Sequence, residues 1–159
     1  AGILRICLDS SYLLPIFGIG LKNIPDDIIV KLLDEGHKLL ISEISIFECI
    51  AKAAKLASSG ELSLDRPIKG LLAVIYSKSL IMISIFDGDL IRIAATSRRF
   101  ISDFIDCIVL ATATMQADIL LTEDTLLLKP PHNLLEYIHS INPRLQILGF
   151  KEYAQKYKS

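Results

Sequence analysis

Asp9, Glu48, Asp106 and Asp124 are the residues of this chain best placed to do chemistry. Asp9 closes an apolar run over residues 3–8, and Glu48 lies in a helix-like stretch that opens Ile41-Ser42-Glu43-Ile44-Ser45. Asp106 begins Asp106-Cys107-Ile108-Val109-Leu110-Ala111-Thr112-Ala113, and Asp124 follows Ile119-Leu120-Leu121-Thr122-Glu123. Acids in such apolar surroundings are costly unless something positive meets them. Gathered at one end of a sheet, they would form an oxygen-only pocket suited to Mg²⁺ or Mn²⁺. A divalent ion there acidifies water, orients it for in-line attack and stabilises the leaving oxygen. The chemistry expected is hydrolysis of a phosphodiester without a protein nucleophile.

Each acid also has a duller reading. Asp9 can cap a helix at Ser11. Glu48 can close a capping box, Ser45-Ile46-Phe47-Glu48, with Lys52 as its i+4 partner. Asp106 can favour a helix N-terminus electrostatically, and Asp124 can begin a turn. Asp103 reads first as a helix-start residue after Ser102. It stands three residues before Asp106, so it also remains a candidate supporting acid. Ser10 and Thr122 can each cap, or hydrogen-bond a water on the metal. Other chemistries fail sooner. His37, His132 and His139 lack ligand spacing and read as surface residues. Gly18-Ile19-Gly20 lacks the third glycine and the Lys-Ser/Thr of phosphate loops. No Gly-x-Ser-x-Gly elbow is present, and Asp87-Gly88-Asp89 continues into Leu90-Ile91, so it reads as a turn.

The elements that must position the acids are short apolar strands alternating with helix-period stretches. Strands are expected over residues 3–8, 38–41, 80–85 and 119–122, with a fifth over 146–148. Ser10-Ser11 caps a short helix toward Gly18, and Pro25 begins one ending near Gly36. Ser42 caps a helix to Ser58 with Ile44, Phe47, Ile50, Ala51 and Ala54 as its apolar stripe. Further helices are expected over 64–77, 90–98, 134–140 and 151–159, and Ser102 caps another running to Gln116. Pro130-Pro131-His132-Asn133 reads as a loop. Continuous apolar strands alternating with helices predict a parallel sheet covered on both faces. Such sheets bind ligands beyond the carboxyl ends of their strands, where Asp9 and Asp124 stand.

Composition sets the bounds. A chain of 159 residues suggests one domain, 1–159, with a substantial core. Hydrophobic residues make up 52% and charged residues 22%, which excludes a disordered chain. Mean hydropathy is +0.48, yet no apolar run approaches the ~18 residues of a membrane span. The surplus points to a large core plus an apolar surface for a second copy, with residues 25–33 and 64–76 as expected contributors. The opening Ala1-Gly2-Ile3-Leu4-Arg5 reads as the first strand, not a signal peptide, so the expected location is cytoplasmic. Net charge is -1, so nucleic acid would have to be held by local clusters such as Lys52 with Lys55, or Arg98 with Arg99. Cys7, Cys49 and Cys107 are odd in number and widely spaced, and fit reduced, buried thiols.

Taken in order, four motifs resemble the PIN domain, the fold of VapC-type toxins and several RNA-processing nucleases. They are Leu8-Asp9-Ser10-Ser11, the run Ile41 to Glu48, the run Asp106 to Ala113, and Leu120-Leu121-Thr122-Glu123-Asp124. The resemblance spans the chain from its first strand to about residue 125. It implies a three-layer α/β/α sandwich around a parallel sheet of four or five strands. It also implies Mg²⁺- or Mn²⁺-dependent ribonuclease activity, frequent homodimers and, in the toxin branch, an antitoxin partner. By position it makes Asp9, Glu48, Asp106 and Asp124 the metal-site acids. Residues 129–144 depart from the pattern as an extra segment. The competing reading is a PIN-like scaffold that binds without cutting. Receiver and haloacid-dehalogenase-like domains fit poorly, because Asp9-Ser10-Ser11 offers neither paired acids nor Asp-x-Asp.

Overall fold

Residues 2–157 are described by the computed structural model. Five strands form one parallel sheet: β1 (Arg5–Leu8), β2 (Lys38–Ser42), β3 (Leu80–Ile83), β4 (Ile119–Leu121) and β5 (Gln146–Leu148). Their order is β3-β2-β1-β4-β5. The chain steps outward from β1 to β3, then returns across the sheet to lay β4 on the other side of β1. The order therefore reverses between β1 and β4, which creates a crevice at their carboxyl ends. Ile6 pairs with Ile119 and Leu8 with Leu121, so Asp9 and Thr122 leave the sheet level with each other.

Alternate strand residues face opposite layers. Ile6 and Leu8 pack toward α1 (Ile28–Asp34), α2 (Glu43–Ser58) and α8 (Phe150–Tyr157). Cys7 and Leu120 pack toward α4 (Gly88–Ser97), α5 (Phe104–Gln116) and α7 (His132–Ile141). This is the three-layer α/β/α sandwich expected, with five strands. The remaining helices are α3 (Asp65–Tyr76) and the one-turn α6 (Thr125–Leu128), which was not anticipated. Among the described residues no helix is long and apolar enough to cross a membrane.

Several expectations need correction. Asp103, not Ser102, caps α5, its carboxylate accepting the Ile105 N–H at 2.9 Å. The stretch after Ser10 is two short 3-10 helices, Ser10–Tyr12 and Leu14–Phe17, rather than one helix. β3 ends at Ile83, and α7 starts at His132 inside the expected loop. Phe47, 61% exposed, and Ile50, Ala51 and Ala54 lie outside the buried stripe of α2, which is Ile46, Cys49 and Ala53. Two apolar stripes lie side by side on this helix. The packing of Cys49 against the Ser10 carbonyl selects the less bulky one. His37 is not a surface residue: its ring is 8% exposed and Nδ1 accepts the Leu4 N–H at 3.1 Å. Of the expected final helix, residues 158–159 lie outside the described residues.

The two segments expected to meet a second copy also differ. α1 buries Ile28 and Leu32, leaving mainly Val30 exposed, whereas α3 exposes Ile68, Leu72, Ile75 and Tyr76. The other face of α3 lies directly on backbone. A Cβ added at Gly70 would meet the Ile16 carbonyl oxygen at 2.3 Å. Backbone cannot yield as a side chain does, so Gly70→Ala is expected to destabilise by about 2–3 kcal/mol. An unchanged denaturation midpoint for Gly70→Ala would contradict this packing.

Candidate active site

Asp9 is 5% exposed and tied at both oxygens. Oδ1 accepts the Ser10 N–H at 2.7 Å, and Oδ2 accepts the Thr122 hydroxyl at 2.7 Å. The Asp9 N–H continues the ladder to Leu121 O at 3.0 Å. Burial drives the Asp9 carboxyl pKa upward and neighbouring Asp124 adds to this, while Thr122, Ser10 and Lys52 oppose it. Thr122 is fully buried, and its oxygen also accepts the Asp124 N–H at 3.0 Å. One hydroxyl therefore joins the loop after β1 to the loop after β4.

Asp124 caps α6, with Oδ1 accepting the N–H groups of Leu126 and Leu127 at 2.9 and 3.1 Å. Its capping reading holds, and it leaves Oδ2 available. Glu48 sits in the second turn of α2, half-buried. Because Ser42 is the cap, with its hydroxyl accepting the Ile44 N–H, the Ser45–Glu48 capping box does not form. Burial raises the Glu48 pKa and the charges of Asp9 and Asp103 add to it, against Ser10 and Lys52. Asp106, also half-buried, occupies the first turn of α5. Its carboxyl is pushed up to about 7, first by burial and then by Asp124, Asp103, Asp9 and Glu48. Five acids thus act on one another at the crevice between β1 and β4.

Among the described residues, no group of three His, Cys, Asp or Glu side chains is arranged to hold an ion. Mg²⁺ and Mn²⁺ are held by few protein carboxylates, with water and phosphate oxygens filling the remaining positions. The hard, all-oxygen donor set fits the same ions. Lys52, one turn beyond Glu48, is exposed near this end and lowers the pKa values of Asp9 and Glu48. A cavity of about 780 Å³ lies elsewhere, lined by Arg5, Arg92, Met115, Tyr137 and others, with none of these acids.

One residue escaped the sequence reading as a separate candidate. Glu123 Oε2 accepts the buried Tyr12 hydroxyl at 2.6 Å and the Phe150 N–H at 3.0 Å. It ties the loop between Thr122 and Asp124 to the loop after Asp9 and to the start of α8. Its place between two candidate residues was the available signal. The cysteines are buried and free, as expected. Burial pushes the Cys49 thiol up to about 12 and Cys107 to about 11, so both are inert thiols.

Strand order and the acids at the switch point define an open α/β domain with a carboxylate-lined crevice. This chain belongs to the PIN domain family, whose model matches residues 6–146. No curated protein sequence matches it. Among solved structures it is similar to a chain of VapBC2 from Rickettsia felis, bound to a DNA fragment from their promoter. That likeness has a TM-score of 0.53 at 15% identity and covers 91% of this chain and 98% of the other.

Proposed function

We propose that this chain is a Mg²⁺- or Mn²⁺-dependent endoribonuclease, and that Asp9, Glu48, Asp106 and Asp124 are its metal-site acids. The observation that carries this is the shared field at the switch point. Burial, and then four other acids, raise the Asp106 carboxyl to about 7, and among the described residues it is in no ion pair. A carboxyl shifted by burial and by specific charge partners in a crevice is a candidate for a functional site. Asp9 is the rigid ligand, held by Ser10 and Thr122. Asp124 presents Oδ2, and Asp106 and Glu48 approach from the two helical layers. Asp103 supports Asp106 from its cap position. A divalent ion bound there supplies Lewis acidity toward phosphate and water. Lys52 with Lys55, and Arg98 with Arg99, are exposed and suited to the RNA backbone.

The same reading covers the partners. We take the chain as one PIN-like domain in the cytoplasm, acting as the toxin of a toxin-antitoxin pair and forming a homodimer. The likeness to a VapBC2 chain supports an antitoxin partner. Cleavage of RNA is expected to require Mg²⁺ or Mn²⁺, to stop in chelator, and to be blocked by Ca²⁺, which does not enforce a tight octahedron. Cleavage undiminished in excess chelator would contradict the metal mechanism. Metal binding without any cleavage would favour the scaffold reading instead.

A further inference from the structure

A cavity of about 270 Å³ is lined by Ser11, Leu21, Lys22, Asn23, Ile24 and Glu123. Ser11 stands two residues past Asp9, and Glu123 separates Thr122 from Asp124, so the cavity borders the acidic crevice. Its outer wall is the segment after Gly18, held down by buried Ile24 and by Leu21, which packs on the core. Glu123 is equally fixed. The Tyr12 hydroxyl and the Phe150 N–H both donate to Oε2, so Oε1 remains for a ligand. Gly149 leaves room for this carboxylate, since a Cβ there would stand 3.2 Å from Oε2. Lys22 and Asn23 are exposed, and Lys22 is in no ion pair among the described residues.

We propose that this cavity is a nucleobase subsite, seating a guanine of single-stranded RNA next to the phosphate to be cut. The inference rests on the nuclease reading above and adds a base preference to it. A phosphate fits poorly, because Glu123 repels it and Lys22 is the one cation of the lining. A neutral group with donors and acceptors side by side satisfies a carboxylate and an ammonium together. At about 270 Å³ the cavity falls below the ~300–1,000 Å³ of drug-sized pockets, which suits a single base. Leu21 and Ile24 offer apolar surface to the faces of that base, and the polar side chains read its edge. The order of donors and acceptors selects guanine. Among the four bases it alone presents two adjacent donors, N1–H and N2–H, to one carboxylate, with O6 and N7 beyond them for a lysine. Adenine and cytosine set an acceptor nitrogen against the carboxylate, and uracil brackets its single N–H with two carbonyls. Asn23 and Ser11 can donate or accept, so they complete the edge without selecting it.

Fluorescence anisotropy tests this with labelled short oligoribonucleotides, uridine throughout except for one central base. The full chain is used in Ca²⁺, where it is expected to bind RNA without cutting it. The guanine oligomer is expected to bind at least about tenfold tighter than the adenine, cytosine or all-uridine ones. Glu123→Gln keeps an oxygen for Tyr12 and Phe150 but sets an NH₂ in place of Oε1. It is expected to lose the guanine preference and to favour adenine or cytosine. Lys22→Met, at an exposed position, guards against a folding defect in the first variant. It is expected to narrow the guanine preference severalfold with an unchanged melt. Equal affinity of the native chain for all four oligomers overturns the subsite, as does a guanine preference that survives both variants. Cleavage in Mn²⁺ separates this inference from the reading it rests on. Cuts that fall without regard to guanine overturn the subsite alone, whereas guanine-selective binding with no cutting overturns the nuclease reading and keeps the base subsite.

Discussion

Asp106→Asn is expected to abolish RNA cleavage and to make the metal-free protein more stable. The substitution keeps the side-chain shape and removes one charge from the acidic crevice. Losing a metal-site carboxylate is expected to lower the rate by roughly 10³-fold or more, equivalent to about 4 kcal/mol of transition-state stabilisation. The stability effect follows from the raised carboxyl. An unfolded Asp releases its proton near 3.9, whereas Asp106 holds its own to about 7. The folded state therefore binds more protons between those limits. Its stability falls as pH rises through that window and levels off above about 7. Solvent reaches this half-buried group and the helix start favours its charge, so the net gain for Asn at neutral pH is about 1 kcal/mol. That corresponds to a melting temperature higher by about 2–4 °C. A variant that melts lower than the native protein in chelator would show that Asp106 serves the helix start instead.

Thr122→Val is expected to be the most damaging conservative change near the site. Valine matches threonine in shape but leaves Asp9 Oδ2 and the Asp124 N–H without their partner, both at the buried crevice. Stranding a buried charged group costs more than the bond itself contributed, and about 2–4 kcal/mol is expected here. Melting at pH 7.5 would drop by roughly 5–12 °C. The loss depends on Asp9 being ionised. It is therefore expected to shrink as pH falls and the Asp9 carboxyl, already raised by burial, takes up its proton. Thr122→Ser keeps the hydroxyl and is expected to recover most of the loss. A valine variant as stable as native at pH 7.5 would deny the hydroxyl its role as a tie.

The sheet and the acids were legible because both depend on local pattern. Continuous apolar runs such as 3–8 and 119–122 admit little but buried parallel strands, and an acid closing such a run stands out. The rotation of α2 was not legible. Two stripes one residue apart compete there, and the contact of Cys49 with the Ser10 carbonyl, which selects between them, spans 39 positions. The Glu123 tie to Tyr12 and Phe150 was hidden for the same reason, since nothing local to Glu123 names its partners. His37 looked like a surface histidine because its bond to the Leu4 amide exists only after β1 and β2 align. The four acids also carry capping signals, and Asp9 and Asp124 do act as caps.

Calorimetric titration of Mn²⁺ into the native protein and Asp106→Asn, at pH 7.5 and pH 5.5, tests the central claim most directly. The account predicts saturable binding to the native chain at pH 7.5 and at least about tenfold weaker binding to the variant. It also predicts that native affinity falls by about tenfold or more at pH 5.5, where protons compete for a carboxyl raised to about 7. Equal Mn²⁺ affinity in both proteins at both pH values would contradict it.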